Sequence, residues 1–265
     1  MFAALIITLR ETLEVALVVG IVLAYLKKTI NGKHQSFVWG GLFAGVVVSA
    51  LIAYVFEKYF GGFEGTAEQI YEGVAMFTAA ALLSWMILWM LEQRRKIKEE
   101  LEKKVSVHIE KDHPIGLLSL VFVSTLREGV ETSIFLKAAI LSGGSDGTVL
   151  GAVSGILIAL AVSYVLFKGF ARVPLKTFFT ITSVILILFA AGLFAHGIHE
   201  FQEAGVFPIY IEHLWDINNF LDENGSFGGV MKGVFGYNGN PSLLEVVGYF
   251  GYLVLIAFYS FLRKK

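Results

Sequence analysis

The chain has 265 residues, 56% of them hydrophobic and only 16% charged, with a mean hydropathy of +0.70. A soluble domain carries about 25% charged residues, so this composition points to a chain that lives in a bilayer. The net charge of −1 singles out no partner, and the absence of cysteine excludes disulfides, thiolate metal sites and thiol catalysis.

In chain order, the first apolar run covers residues 1–26 and is broken only by the stretch TLRETLE at 8–14. It does not read as a signal peptide, because it lacks a basic start, holds three charges in its apolar part and shows no small-residue cleavage site. Further apolar runs follow at 35–56 and 73–91. The stretch EQRRKIKEELEKKVSVHIEK then covers 92–111. Its dense mixture of charges predicts a solvated helical extension of the third run with i,i+4 ion pairs. A fourth run at 115–141 is broken only by TLREGVE at 125–131, and others follow at 148–167, 177–195 and 246–262. Most approach the roughly 20 residues that a helix needs to cross a bilayer. The expected fold is therefore an all-α integral membrane protein with seven transmembrane helices.

The loops set an orientation. Lys27, Lys28 and Lys33 follow the first span, and seven basic residues from Arg94 to Lys111 follow the third. Lys168, Arg172 and Lys176 follow the fifth, and Arg263, Lys264 and Lys265 end the chain. The opposite loops hold only Lys58 and Lys232. The positive-inside rule then puts the N-terminus outside and the C-terminus in the cytoplasm.

The second and fifth spans align residue for residue: Gly41 with Gly151, Gly45 with Gly155, Tyr54 with Tyr164 and Lys58 with Lys168. The two charged stretches also align. The chain thus reads as a single transmembrane domain over 1–265. It comprises one three-span unit over about 1–92, a connector over about 93–113 and a second unit over about 114–203. An outer loop over about 204–241 and a seventh helix over about 242–262 complete it. The two units enter the membrane from opposite sides, which is the 3+3 inverted-topology repeat of secondary transporters, whose substrate site lies near the midplane between repeats. Each unit also holds one G-x-x-x-G, which lets helices approach closely.

At about 1.5 Å per residue, both charged stretches fall near mid-bilayer. On a helix, Arg10 shares a face with Glu14, and Glu11 neighbours Glu14; Arg127, Glu128 and Glu131 repeat the pattern. A charge at a helix centre costs about 2.5–3.5 kcal/mol on insertion scales. Two arginines can neutralise two of the four carboxylates. A bound multivalent cation would offset the rest, and carboxylates are hard ligands suited to hard cations. The plainer alternative is a pair of ion pairs that only fix helix packing. It leaves Glu11 and Glu128 without an arginine of their own.

At these residues the sequence resembles the high-affinity iron permease family, the oxidase-dependent iron transporters. The family's hallmark is a pair of R-E-x-x-E motifs on the first and fourth transmembrane helices, here Arg10 to Glu14 and Arg127 to Glu131. Its prokaryotic Efe-type members have seven spans with the N-terminus outside. HGIHEFQEAG at 196–205 resembles their sixth-helix ending, with Phe201 in place of Leu, and FGYNGNPSLLE at 235–245 also resembles the family. The resemblance implies import of iron across the cytoplasmic (inner) membrane of a prokaryote. The iron would arrive as Fe(III) after oxidation of Fe(II) by an extracytoplasmic oxidase or iron-delivery partner. It further implies that Glu11, Glu14, Glu128 and Glu131 are ligands and that Arg10 and Arg127 orient them. Iron, as Fe(III) or Fe(II), is then substrate, with no organic cofactor; the partners are the bilayer and the oxidase, with no nucleic acid.

Glu68 and Glu72 at the start of the third span, with His199, Glu200 and Glu203 at the end of the sixth, could pass a cation inward, or could simply be wetted interface residues. His196 reads as packed, and His108 and His113 as connector residues. Lys137 is expected to snorkel to the interface. FPIYIEHLWDINNFLDE at 207–223 suggests an amphipathic helix on the membrane or over the entrance. Glu245 reads either as interfacial or as facing the approach route. Among other functions, a retinal photosensor lacks its lysine in the last span. A di-iron oxidase lacks Glu-x-x-His pairs in the spans. A carrier of Mn(II) or another divalent cation is not distinguished by residues.

Overall fold

The computed structural model describes residues 1–30, 32–60, 62–93, 97–110, 114–143, 147–168, 175–223 and 225–262. Among them are nine α-helices and no strand: α1 (Phe2–Ile30), α2 (Gln35–Phe60), α3 (Thr66–Gln93), α4 (Ile97–Glu110), α5 (Pro114–Gly143), α6 (Thr148–Phe167), α7 (Leu175–Glu203), α8 (Ser226–Phe235) and α9 (Leu243–Leu262). The chain is all-α, as expected. Segments in α2, α3, α6, α7 and α9 are long and apolar enough to cross a membrane. Helices α1 and α5 are as long, at 29 and 30 residues, but each carries Arg, Glu and Glu within its apolar run. Helices α3 and α7 extend past the apolar runs through good helix formers such as Glu68, Gln69, Glu72, Glu200 and Gln202.

The long helices pack pairwise, α1 along α6, α2 along α5 and α3 along α7; α1 also meets α5, and α9 leans on α7. Glycine sets the first two approaches. A Cβ on Gly41 would strike the Leu118 carbonyl, and one on Gly45 would strike Thr125. A Cβ on Gly151 would strike the Met1 carbonyl, and one on Gly155 would strike Thr8 and the Leu5 carbonyl. Aligned glycines of α2 and α6 thus meet the aligned threonines Thr125 and Thr8 that open the two charged stretches. Thr8 Oγ1 also donates across the interface to the carbonyl of Ala152 at 3.0 Å. Elsewhere on these two interfaces the chemistry differs. The Phe167 ring lies on Gly20 where α6 meets α1, whereas Lys137 of α5 donates to Glu57 of α2 at 2.8 and 2.9 Å. Lys137 thus reaches an exposed carboxylate on the neighbouring helix.

The connector differs from expectation in its packing. It is helical, but Val105 of α4 is fully buried against Val19, Val22 and Leu26 of α1, Val38 of α2 and Leu117 and Val121 of α5. One face is therefore core rather than solvated. Its join to α3 at 94–96, with Arg94, Arg95 and Lys96, lies outside the described residues. So do 111–113, with Lys111 and His113, 169–174, with Arg172, and the terminal 263–265.

The segment 207–223 forms no helix. Pro208 interrupts it. Asp216 Oδ1 accepts from the Asn218 backbone at 3.0 Å, a side-chain turn that competes with helix formation. Leu214 N and Ile217 N donate to the carbonyls of Pro241 and Gly239, and Leu243 N donates to that of Ile211, at 2.9–3.1 Å. The loop is thus tied to the chain that returns into α9. The amphipathic helix lies farther on, as α8, packed against α7, α1 and α5, and Gly236 closes it in the left-handed conformation at φ 65°. Helix α9 opens with a capping box: Ser242 N donates to Glu245 Oε1 at 3.0 Å and Glu245 N to Ser242 Oγ at 3.3 Å.

Overpacking a tight interface costs typically 1–3 kcal/mol. Gly45→Leu and Gly155→Leu should each lower the thermal midpoint of the purified protein by several degrees. Gly251→Leu, on a face of α9 with open space around it, should leave it unchanged. Equal behaviour of all three in a melting assay would refute the packing role.

Candidate metal centre

The two charged stretches come together where α1 meets α5. Arg10 is wholly enclosed; its Nε donates to Glu14 Oε1 at 3.1 Å, and its Nη2 lies 2.9 Å from the sulfur of Met90 on α3. The next residue, Glu11, is buried and turned toward α5. There Glu128 is also buried, and Glu131 stands one turn further on. One oxygen from each of Glu11, Glu128 and Glu131 can be chosen so that all lie within 4.8 Å of one another.

The second stretch is not a copy of the first. Arg127 Nε donates to Glu128 Oε1 at 2.9 Å, its Nη2 contacts the same oxygen, and Glu131 Oε1 lies 3.8 Å away. Arg10 engages the glutamate four positions on; Arg127 engages first the glutamate beside it. Exposure differs as well: the side chain of Arg10 is 0% exposed and that of Arg127 is 52% exposed. The Arg127 guanidinium carbon sits 5.6 Å from the centre of the Trp89 ring, within cation–π range. Consecutive residues of α3, Trp89 and Met90, therefore receive the two arginines.

Both oxygens of Glu11, Oε2 of Glu128 and Oε2 of Glu131 are buried without a hydrogen-bond partner among the described residues. Leaving buried acceptors unmatched is expensive, and more so for charged groups. Three carboxylate oxygens within 4.8 Å of one another offer hard ligands to a hard cation. Of the four glutamates expected from sequence, Glu11, Glu128 and Glu131 converge, whereas Glu14 is turned to Arg10.

Next to this cluster lies apolar core. Ile7 of α1, Met76, Ala79 and Leu83 of α3, Phe135 and Ala138 of α5, and Phe189 and Leu193 of α7 are buried together. A second group of polar residues sits where α3 begins, α7 ends and α9 begins. Glu68 and Glu72 of α3 and Glu200 and Glu203 of α7 lie within electrostatic reach of one another, and Gln69 Nε2 donates to Glu203 Oε2 at 3.1 Å. His199 lies among them with both ring nitrogens engaged, Nδ1 with Glu245 Oε1 and Nε2 with Glu203 Oε1, each at 3.1 Å. That leaves it no free lone pair toward a metal. His196 stacks on His199 at 5.6 Å, with Nε2 3.9 Å from Glu200.

Glu245, left undecided by sequence, is buried. It caps α9, meets His199 and accepts from Asn238 Nδ2 at 2.8 Å. Its signal was the S-x-x-E spacing of Ser242 and Glu245 ahead of an apolar run. Nothing in the sequence marked Trp89 or Met90, which sit in an ordinary apolar run.

Comparison with known proteins agrees with the resemblance. The model of the Iron permease FTR1 family matches residues 1–263. The ferrous iron permease EfeU of Escherichia coli O6:K15:H31 (strain 536 / UPEC) is 34% identical over 97% of this chain and 95% of its own. A relative in Escherichia coli K12 has the same identity and coverage. The ferrous iron permease EfeU of Yersinia pestis is 32% identical over 98% of this chain and 93% of its own. No solved structure matches. The match to the family model over nearly the whole length, with relatives above 30% identity, shows that the chain belongs to the FTR1 iron permease family, as a multi-pass inner-membrane transporter and not an enzyme.

Proposed function

We propose that this permease imports iron through a mid-membrane site in which Glu11, Glu128 and Glu131 hold the ion and Glu14 stands beside them. The observation that carries this reading is the convergence of two buried carboxylates and a partly buried third, all with unmatched oxygens, at the α1–α5 contact. Four carboxylates against two guanidiniums leave two negative charges. A cation between them removes the repulsion that would otherwise force them apart or require protons.

The ion enters as Fe(III), handed over by an extracytoplasmic oxidase or iron-delivery protein. The relatives' names say ferrous iron; entry as Fe(III) rests on the duplicated R-E-x-x-E pattern and its hard donors, not on those names. The acidic group of Glu68, Glu72, Glu200 and Glu203 forms the approach, with His199 as a fixed positive partner rather than a ligand. The apolar layer around Phe135 and Leu193 separates it from the midplane. Arg10, held by Glu14 and Met90, keeps the first motif in place.

Seven spans with the N-terminus outside, and two inverted units over about 1–92 and 114–203, accommodate this site. The connector occupies about 93–113, the outer loop about 204–241 and the seventh helix about 242–262. The reciprocal packing of α1 on α6 and α2 on α5, with aligned glycines meeting aligned threonines, supports the inverted repeat. The dense basic residues after α1 and α3 support the orientation. Mn(II) would suit the same oxygen donors, and competition in the assay separates the two.

Uptake of radiolabelled iron into proteoliposomes or iron-starved cells, with manganese as competitor, tests the site. Glu11→Ala, Glu14→Ala, Glu128→Ala and Glu131→Ala should each abolish uptake while membrane insertion persists. Normal transport by both Glu11→Ala and Glu131→Ala would refute the assignment.

Arg10 uses two guanidinium nitrogens at once, and a lysine offers only one. Uptake by Arg10→Lys should drop on the order of tenfold or more, whereas Arg263→Lys at the chain end should transport normally. Equal rates for the two would mean that Arg10 contributes charge alone.

A further inference from the structure

We propose that Arg127 is an internal counter-cation that fills the site when no metal is bound and gives way to the metal, whereas Arg10 is a fixed support. This inference rests on the carboxylate site proposed above. Its basis is the difference between two arginines that the sequence presents as equivalents.

Arg10 is closed in on every side, with Nε on Glu14 and Nη2 on Met90. It cannot leave without repacking the core. Arg127 is built the other way. It holds Glu128 and approaches Glu131, two of the three glutamates that converge. Its own side chain is half exposed. A guanidinium at the depth of buried carboxylates stands in water or in a polar cavity rather than in hydrocarbon. The site therefore opens on the Arg127 side. The exposed Trp89 ring already lies 5.6 Å from the guanidinium while it holds Glu128, so Arg127 can swing off the carboxylate without leaving that ring.

The remaining valences say what fills the site in exchange. Arg127 satisfies Oε1 of Glu128 but leaves Oε2 of Glu128, Oε2 of Glu131 and both oxygens of Glu11 unmatched. One guanidinium reaches from α5 to two α5 carboxylates and does not satisfy Glu11 across the interface. A metal ion among these oxygens would serve all three. Arg127 thus competes with the metal for Glu128 and Glu131, keeps binding loose enough for release, and returns as the ion departs.

The competition makes an unusual demand on the mutant. Removing a nearby positive charge should strengthen metal binding, not weaken it. In the purified full-length protein, titrated with Mn2+ and with Fe2+ kept reduced, Arg127→Gln should bind on the order of tenfold or more tighter than the parent. Iron uptake by the same variant should show a lower KM together with a lower maximal rate, because release slows. Arg127→Lys, which keeps a mobile cation, should bind within a few-fold of the parent. Glu128→Gln combined with Glu131→Gln serves as the control and should lose binding. If that control binds metal like the parent, the site assignment itself fails. If it loses binding but Arg127→Gln binds equally or more weakly, the site stands and the counter-cation role is overturned. Size-exclusion profiles matching the parent establish that each variant is folded, and Arg127→Met, equally without charge and expected to bind tighter by a similar factor, carries the test should Arg127→Gln not be.

Discussion

The structure depends on one unfavourable interaction: carboxylates of Glu11, Glu128 and Glu131 brought together between two helices, the first two of them buried. Like charges at this range repel strongly wherever the surroundings are of low polarity. The arrangement is tolerable only with positive charge supplied nearby. Two arginines supply part of it, and neither matches every oxygen. Much of the bundle serves to hold this incomplete balance: the glycine contacts that let α2 and α6 close on α5 and α1, and the α3 turn that receives both guanidiniums.

The framework was open to reading from sequence because bilayer length and apolar periodicity constrain it. Helices lie at all seven expected runs, and α6 spans the same residues as the run that predicted it. The same holds for the convergence of Glu11 with Glu128 and Glu131, since inverted copies of one motif should meet. What sequence could not show is which carboxylate an arginine chooses. A guanidinium on a helix reaches positions one, three and four away, and neighbouring elements decide among them. Met90 and Glu14 settle the matter for Arg10; Glu128 and Trp89 settle it for Arg127. Glu14 consequently drops out of the converging set although its spacing matches that of Glu131.

The polar end of the bundle shows another limit. His199 and Glu203 have a spacing that suits a ligand pair, yet a third group, Glu245, arrives from α9 and takes the other imidazole nitrogen. A residue far away in sequence thus converts a candidate ligand into a fixed ion pair. The loop 207–223 departs from the helix its composition suggests for a related reason. Its composition suits an amphipathic helix, but the strand-like bonds to Gly239 and Pro241 commit its backbone elsewhere. The Ser242–Glu245 cap, in contrast, is purely local and was there to be read.

The aligned halves of the chain differ at one matched pair of contacts. Where α5 meets α2, Lys137 clasps Glu57; at the positions that align with these, the Phe167 ring rests on Gly20. Dissolved ions weaken the first kind of clasp and leave the second almost untouched. A rise in ionic strength therefore slackens one seam of the bundle while its counterpart stays shut, so the two halves answer unequally to the water they face.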